Sequence, residues 1–237
     1  MTIPSFIFII CSAGGHVGKT TMARLLGDHF VLSGRRFTGF DTDPYEPEFA
    51  NRFPRDVAIV KPSSVTSQMA LFDGLLVDDG LPKIVDLWHH AISPFFNLWD
   101  HISFDAEVRR IGVVPILVFF AEPSQRSLAL ANSIFAHHPH SLVVTAYNEG
   151  AQTTSMIDRE TLARFPAGPT FRMPALDPIL RNIIDARGFS FSRFMLAPPI
   201  GMSIVLRAAL KSWILQMNTQ FQNLELSLAM ESAEFSS

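Results

Sequence analysis

The run Cys11-Ser12-Ala13-Gly14-Gly15-His16-Val17-Gly18-Lys19-Thr20-Thr21 gathers the residue types that grip a chain of phosphates. Glycines let successive backbone N–H groups converge on phosphate oxygens, and a helix opening just beyond them adds the positive end of its dipole. The Lys19 ammonium then reaches the β- and γ-phosphates, and the Thr20 hydroxyl ligates Mg²⁺. On this reading Gly14, Gly15, His16, Val17, Gly18, Lys19, Thr20 and Thr21 surround the phosphates. The spacing fits G-x-x-x-x-G-K-[ST] except that Ala13 stands where the first glycine belongs. An alanine serves there if its φ stays negative. The plain alternative is a glycine-rich turn between a strand and a helix.

Two further motifs place carboxylates beside that loop. Asp41-Thr42-Asp43-Pro44 closes an apolar run, and Lys83-Ile84-Val85-Asp86 ends another. Strand-end carboxylates emerge at the sheet edge where open α/β folds bind ligands. There they can orient an attacking water or hold Mg²⁺, both needed for phosphoryl transfer. An Asx turn ahead of Pro44 is the rival reading of the first motif, and a loop-capping aspartate the rival of the second. Taken together, the motifs offer Lys19, Thr20, Asp41, Asp43 and Asp86 as candidates for catalysis and for metal binding.

The elements that must position these groups read as alternating strands and helices. Apolar runs over 6–11, 37–41, 57–60, 83–87, 113–120, 142–147 and 170–173 are strands without in–out alternation, as in a parallel sheet covered on both faces. Helical patterns fall at 21–32, 67–77, 124–136, 154–163, 178–186 and 202–221. Residues 92–110, rich in Phe, Trp and His, fit either a helix or an irregular segment. The expected fold is α/β: one domain over 1–221, a mostly parallel twisted sheet with helices on both faces, then a flexible tail over 222–237.

Composition agrees. The 237 residues are 48% apolar and 17% charged, enough for a buried core and too apolar for disorder. A net charge of −3 argues against a nucleic-acid coat spread over the whole surface. The single cysteine, Cys11, has no disulfide partner within the chain, which fits a reducing, cytoplasmic setting. Met1–Ile10 lacks a basic segment, so no secretory leader is expected.

These motifs resemble the ParA/MinD superfamily of deviant phosphate-loop ATPases (the SIMIBI class), and most of all the TraL- and StbB-type proteins of plasmid transfer and stability regions. The resemblance rests on Gly14-Gly15 with Gly18-Lys19-Thr20-Thr21, Asp41-Thr42-Asp43-Pro44, Asp86, and Thr145-Ala146-Tyr147-Asn148. Met173-Pro174-Ala175-Leu176, Arg187-Gly188-Phe189-Ser190-Phe191 and Leu210-Lys211 with Trp213 extend it. It implies an ATP- and Mg²⁺-dependent switch in plasmid partition or stability, conjugative transfer or subcellular positioning, with a protein partner. Asp43 becomes the water-orienting carboxylate, Asp86 the switch aspartate, and Asn148 and Pro174 the adenine contacts. It also implies a homodimer, but the family's signature lysine, which crosses the dimer interface, falls here at Gly14.

Arg181, Arg187, Arg193, Arg207 and Lys211 form a basic set suited to nonspecific DNA contact, or simply a solvated face. The last helix carries Ile204, Leu206, Leu210, Trp213, Ile214 and Met217 in a stripe that packs on the sheet or, less expectedly, lies on a membrane. His137-His138-Pro139-His140 has no metal-ligand spacing and reads as an exposed loop. Two rival functions remain open: a phosphate-loop metabolic enzyme (a dethiobiotin-synthetase-like ligase or small-molecule kinase) and a non-hydrolysing nucleotide-binding adaptor.

Overall fold

The computed structural model describes residues 6–151 and 156–234. Seven strands form one sheet in which every adjacent pair is parallel: β1 (Phe6–Ser12), β2 (Thr38–Asp41), β3 (Val57–Ile59), β4 (Lys83–Asp86), β5 (Val114–Phe120), β6 (Leu142–Asn148) and β7 (Thr170–Met173), in the order β3-β2-β4-β1-β5-β6-β7. The central strand β1 has the sequence FIFIICS and is buried throughout. Its alternate residues feed two cores: Phe6, Phe8 and Ile10 on one face, Ile7, Ile9 and Cys11 on the other. That is why the strand reads as continuously apolar. Burial raises the Cys11 thiol to about 12, so it is an inert core group.

The first core is roofed by α1 (Lys19–Leu32), α2 (Glu48–Arg52), α8 (Pro178–Asp185), α9 (Phe191–Leu196) and α10 (Ile204–Glu234). The second lies under α3 (Val65–Leu75), α4 (Ile92–His101), α5 (Phe104–Arg110), α6 (Gln125–His137) and the end of α7 (Met156–Leu162). Side-chain oxygens cap α3, α6, α8 and α9 from Ser64, Ser124, Asp177 and Ser190.

The expected single α/β domain is present, with differences that have physical causes. The ambiguous segment 92–110 is two helices, broken where Ser103 takes φ 53°. Short α2 and α9 lack the length that makes a periodic pattern visible. The start expected for α7 at Thr154 lies outside the described residues, as do 235–237 of the expected tail. The long last helix does not stop at Phe221 but runs on to Glu234. Leu224 is buried there, and Glu225 pairs with Arg35 at 2.8 Å and with His29 at 3.3 Å. His29 on α1 and Arg35 just past it hold what sequence polarity marked as free. His138 is also not exposed: its ring packs against Phe96 and Trp99, while His137 and His140 face solvent.

One buried carboxylate fastens α9 to α1. Asp28 accepts the Phe191 N–H at 2.9 Å, the hydroxyls of Ser190 and Ser192, and the Arg52 guanidinium at 3.2 Å. Nearby, Arg24 donates to the Ile184 carbonyl at 2.7 Å and lies over the Phe191 ring. Truncating one partner of a buried ionic network leaves the others unpaired. Asp28→Ala therefore costs about 3 kcal/mol or more of unfolding free energy, and Asp28→Asn less, as read from denaturant midpoints.

Candidate active site

At the carboxyl edge of β1 the chain turns into α1 through residues 13–18. Gly18 takes φ 107°, and a Cβ there would lie 2.8 Å from Asn148 Nδ2, so glycine is required on two counts. His16 adopts φ 59° without being glycine, at a cost of about 1 kcal/mol. Asn148 at the end of β6 spends its carboxamide on local structure, donating to the Val17 carbonyl at 2.9 Å and accepting the Gly150 N–H at 3.0 Å.

The loop borders a cleft of about 650 Å³, a size suited to a small-molecule cofactor. Its walls bring together Gly15, His16, Gly18, Lys19, Thr20 and Thr21 with Asp43, Asp86, Asn148 and Pro174. These expected site residues therefore share one space, although the loop, the two carboxylates and the far wall come from separate parts of the chain. Three expected residues do not line it. Val17 is buried behind the loop. Gly14 turns its N–H to Glu122 at 2.7 Å, and its carbonyl accepts from Lys19 and Ser12. Asp41, expected as a metal ligand, is buried with its two oxygens accepting the N–H groups of Asp43 and Ala50, both at 3.1 Å. It fixes the start of the β2–α2 loop rather than facing the cleft.

Lys19 is withdrawn from water, and its ammonium donates to Ser12 Oγ at 2.7 Å and the Gly14 carbonyl at 2.9 Å, leaving a third donor. Burial lowers its pKa, and the nearby Asp86, Glu122 and Asp43 carboxylates oppose that effect. Asp86 is raised to about 6 by burial, despite a hydrogen bond from the Thr20 hydroxyl and the nearby Lys19 charge. Asp41 is raised to about 7 by burial and then by Asp86, its neighbour across the β2–β4 register. Asp43 is less enclosed, its Oδ1 accepting the N–H groups of Tyr45 at 3.0 Å and Glu46 at 3.1 Å.

The hydroxyl of Thr42 couples the loops after β2 and β4. It donates to the Asp86 carbonyl at 3.0 Å and accepts the Trp88 N–H at 2.7 Å. Sequence reasoning passed over Thr42, and also Glu122, whose position just past an apolar strand at the same edge was the available signal. Of the far wall it had Pro174 as a site residue, but not Arg181, Ile184, Asp185 and Trp213, which join Met173, Pro174 and Leu176 there. Trp213 Nε1 donates to the Pro174 carbonyl at 3.0 Å, placing a residue of α10 in the cleft wall.

The basic set is divided. Arg181 lines the cleft and donates to the Gly150 carbonyl, and Arg207 donates to the carbonyls of Pro199 and Met202. Arg187, Arg193 and Lys211 face solvent. Arg24 on α1 and Arg35 just past it are committed to Ile184 and Glu225 and lie outside the cleft wall.

Asp43, Glu46, Glu48, Asp86 and Asp185 line the cleft against only Lys19 and Arg181, so a polyanion would need a cation to enter with it. Among the described residues no group of three or more His, Cys, Asp or Glu could hold a metal alone. A hydroxyl beside one carboxylate, at the foot of a phosphate loop, fits Mg²⁺, which keeps water and phosphate among its ligands.

No protein-family model and no curated protein matches the sequence. Solved structures do. MinD cell division protein from Aquifex aeolicus aligns over 92% of this chain and 97% of its own, with a TM-score of 0.51 and 12% identity. The likeness is one of fold. The chain has the phosphate-loop NTPase architecture, a single α/β domain on an all-parallel sheet. Weaker alignments join it to signal recognition particle 54 kDa protein from Aeropyrum pernix in complex with GDP, over 91% of this chain and 49% of that one (TM-score 0.46, 17% identity). A nucleotide-binding protein from Archaeoglobus fulgidus in complex with ADP aligns over 90% and 88% (TM-score 0.42, 12% identity).

The raised carboxylates set a pH dependence. Between their ordinary value of 3.8 and about 6 to 7, the folded chain binds more protons at Asp86 and Asp41 than the unfolded chain does. Their contribution to stability therefore falls as pH rises through that window. In chelator-treated protein, Asp86→Asn or Asp41→Asn should each remove on the order of 2 kcal/mol of the loss between pH 4 and 7. Denaturant melts of the three proteins across that range check this.

Proposed function

We propose that the chain is a Mg²⁺-dependent ATPase that works as a nucleotide switch of the ParA/MinD type. The observation that carries this reading is the shared cleft, where phosphate-loop N–H groups, the desolvated Lys19 and the Thr20 hydroxyl face Asp43 and Asp86. The loop amides and Lys19 bind the β- and γ-phosphates. Thr20, with Asp86 beside it, holds Mg²⁺, which supplies charge neutralisation and orients the phosphates. Asp43 orients the attacking water from the loop after β2. The end of β6 at Asn148 and the loop at Pro174 receive the adenine.

The switching element follows from Thr42. Since its hydroxyl ties the Asp43 loop to the segment after Asp86, a rearrangement at either carboxylate is transmitted to Tyr45 and Trp88, whose rings meet at 5.7 Å at the cleft rim. A protein partner reading that rim senses the state of the phosphates. The role proposed is plasmid partition or stability, conjugative transfer or subcellular positioning in the cytoplasm, by a homodimer. With glycine at 14 and Glu122 on its N–H, position 14 supplies no lysine to the nucleotide of the other protomer.

Isothermal titration calorimetry and phosphate release test the reading. Lys19→Ala should weaken Mg·ATP binding by at least about a hundredfold and abolish release. Wild-type protein should release phosphate with no second substrate present. Turnover that requires an added metabolite would identify a kinase or ligase instead, and tight binding with no turnover an adaptor.

A further inference from the structure

His89 stands in the cleft with no role in the chemistry described so far. Its partly buried imidazole lines the same space as Gly15, Lys19, Asp43 and Asp86. It lies against the phosphate loop itself: a Cβ on Gly15 would be 3.3 Å from the ring's Cε1 and 3.6 Å from its Nδ1. The ring reaches this place because β4 ends at Asp86 and the Trp88 N–H is held by the Thr42 hydroxyl. Trp88 and the exposed His90 pack beside it, with ring centroids at 5.8 Å and 4.0 Å. Among the described residues neither ring nitrogen takes part in a hydrogen bond.

Strand order fixes which part of a nucleotide this ring would meet. β4 lies on one side of β1, whereas β6 and β7 lie on the other. Asn148 ends β6 and Pro174 follows β7, so with the base on that wall His89 stands toward the far end of the phosphate chain, where Asp43 also emerges. Charge agrees with that placement. Burial first, then His90 beside it and Lys19 on α1, hold the His89 pKa below the usual histidine value; Asp43 opposes them and Arg126 on α6 adds to them. A polyphosphate outweighs those cations and favours the protonated ring. The cleft walls otherwise set five carboxylates against Lys19 and Arg181, and Arg181 already donates to the Gly150 carbonyl.

We propose that His89 is this chain's own contact to the terminal phosphate, its imidazole donating an N–H to a γ-phosphate oxygen beside Gly15. The proton that charges the ring comes from solvent as the nucleotide enters and returns there when the γ-phosphate leaves. The side chain therefore distinguishes a triphosphate from a diphosphate. This contact rests on the phosphate-loop reading given above, and it supplies from the same subunit a positive charge that position 14 does not. Because Trp88 precedes His89 and bonds to Thr42, the contact also joins the terminal phosphate directly to the segment proposed to switch.

Isothermal titration calorimetry of the full chain with Mg·ATP and Mg·ADP tests it, at about pH 7 in two buffers that differ in ionisation enthalpy. Wild-type protein should take up more protons with Mg·ATP than with Mg·ADP. His89→Ala should weaken Mg·ATP binding about tenfold, change Mg·ADP binding less than about twofold, and abolish the extra proton uptake. His89→Gln keeps a neutral donor, so it should recover part of the affinity and none of the uptake. The ATP-to-ADP ratio is taken within each protein, so a loss of folded material cancels from it. A wild-type chain that binds neither nucleotide would overturn the phosphate-loop reading and this contact together. Normal wild-type binding with a ratio that His89→Ala leaves intact would overturn the contact alone, as would extra proton uptake that survives in that variant.

Discussion

The ammonium of Lys19 is held out of water at the mouth of the central strand, and much of the local architecture follows from keeping it there. Burial disfavours its charge, so the surroundings must return that cost through Ser12, the Gly14 carbonyl and the carboxylates of Asp86 and Glu122. Those partners can converge only because β1 lies between β4 and β5, whose ends bring Asp86 and Glu122 to either side of the loop. The strand order is therefore a constraint on chemistry as well as on packing. An all-parallel sheet puts every such end on one edge, which is where this fold gathers its polar groups.

A second consequence of that geometry is the way distant helices are tied to the cleft. Asp28 and Arg24, on the same helix that begins at Lys19, anchor the residues around α9 and the end of α8. From the other side, Trp213 of α10 bonds to the carbonyl of Pro174. The phosphate loop, the far wall and the last helix thus form a closed mechanical circuit. Its members are buried polar or aromatic groups with defined partners, so it resists gradual deformation and favours discrete arrangements.

Much of this was legible in the sequence because the motifs are local. A glycine-rich loop between an apolar run and a helix, or an aspartate at the end of a strand, declares itself within a few residues, and the seven strands fell close to where apolar runs placed them. What could not be read depends on separation along the chain. Asp41 and Asp43 look alike in sequence; their fates diverge because the N–H of Ala50, nine positions on, claims one carboxylate and not the other. Glu122 lies 108 residues from Gly14, and no local pattern joins them. The end of the last helix was misjudged for the same reason, since Glu225 finds its partners, Arg35 and His29, almost two hundred positions earlier in the chain.

The contact between Gly14 and Glu122 bears on how such a loop can be re-engineered. A β-carbon at position 14 would come within 2.6 Å of the glutamate's outer oxygen, yet that oxygen ends a flexible side chain and can swing aside. A lysine grafted there would be accommodated sterically and would then find a counterion on its own subunit. Its charge would be spent at home, so converting this loop to one that reaches a neighbour requires removing the acid together with adding the base.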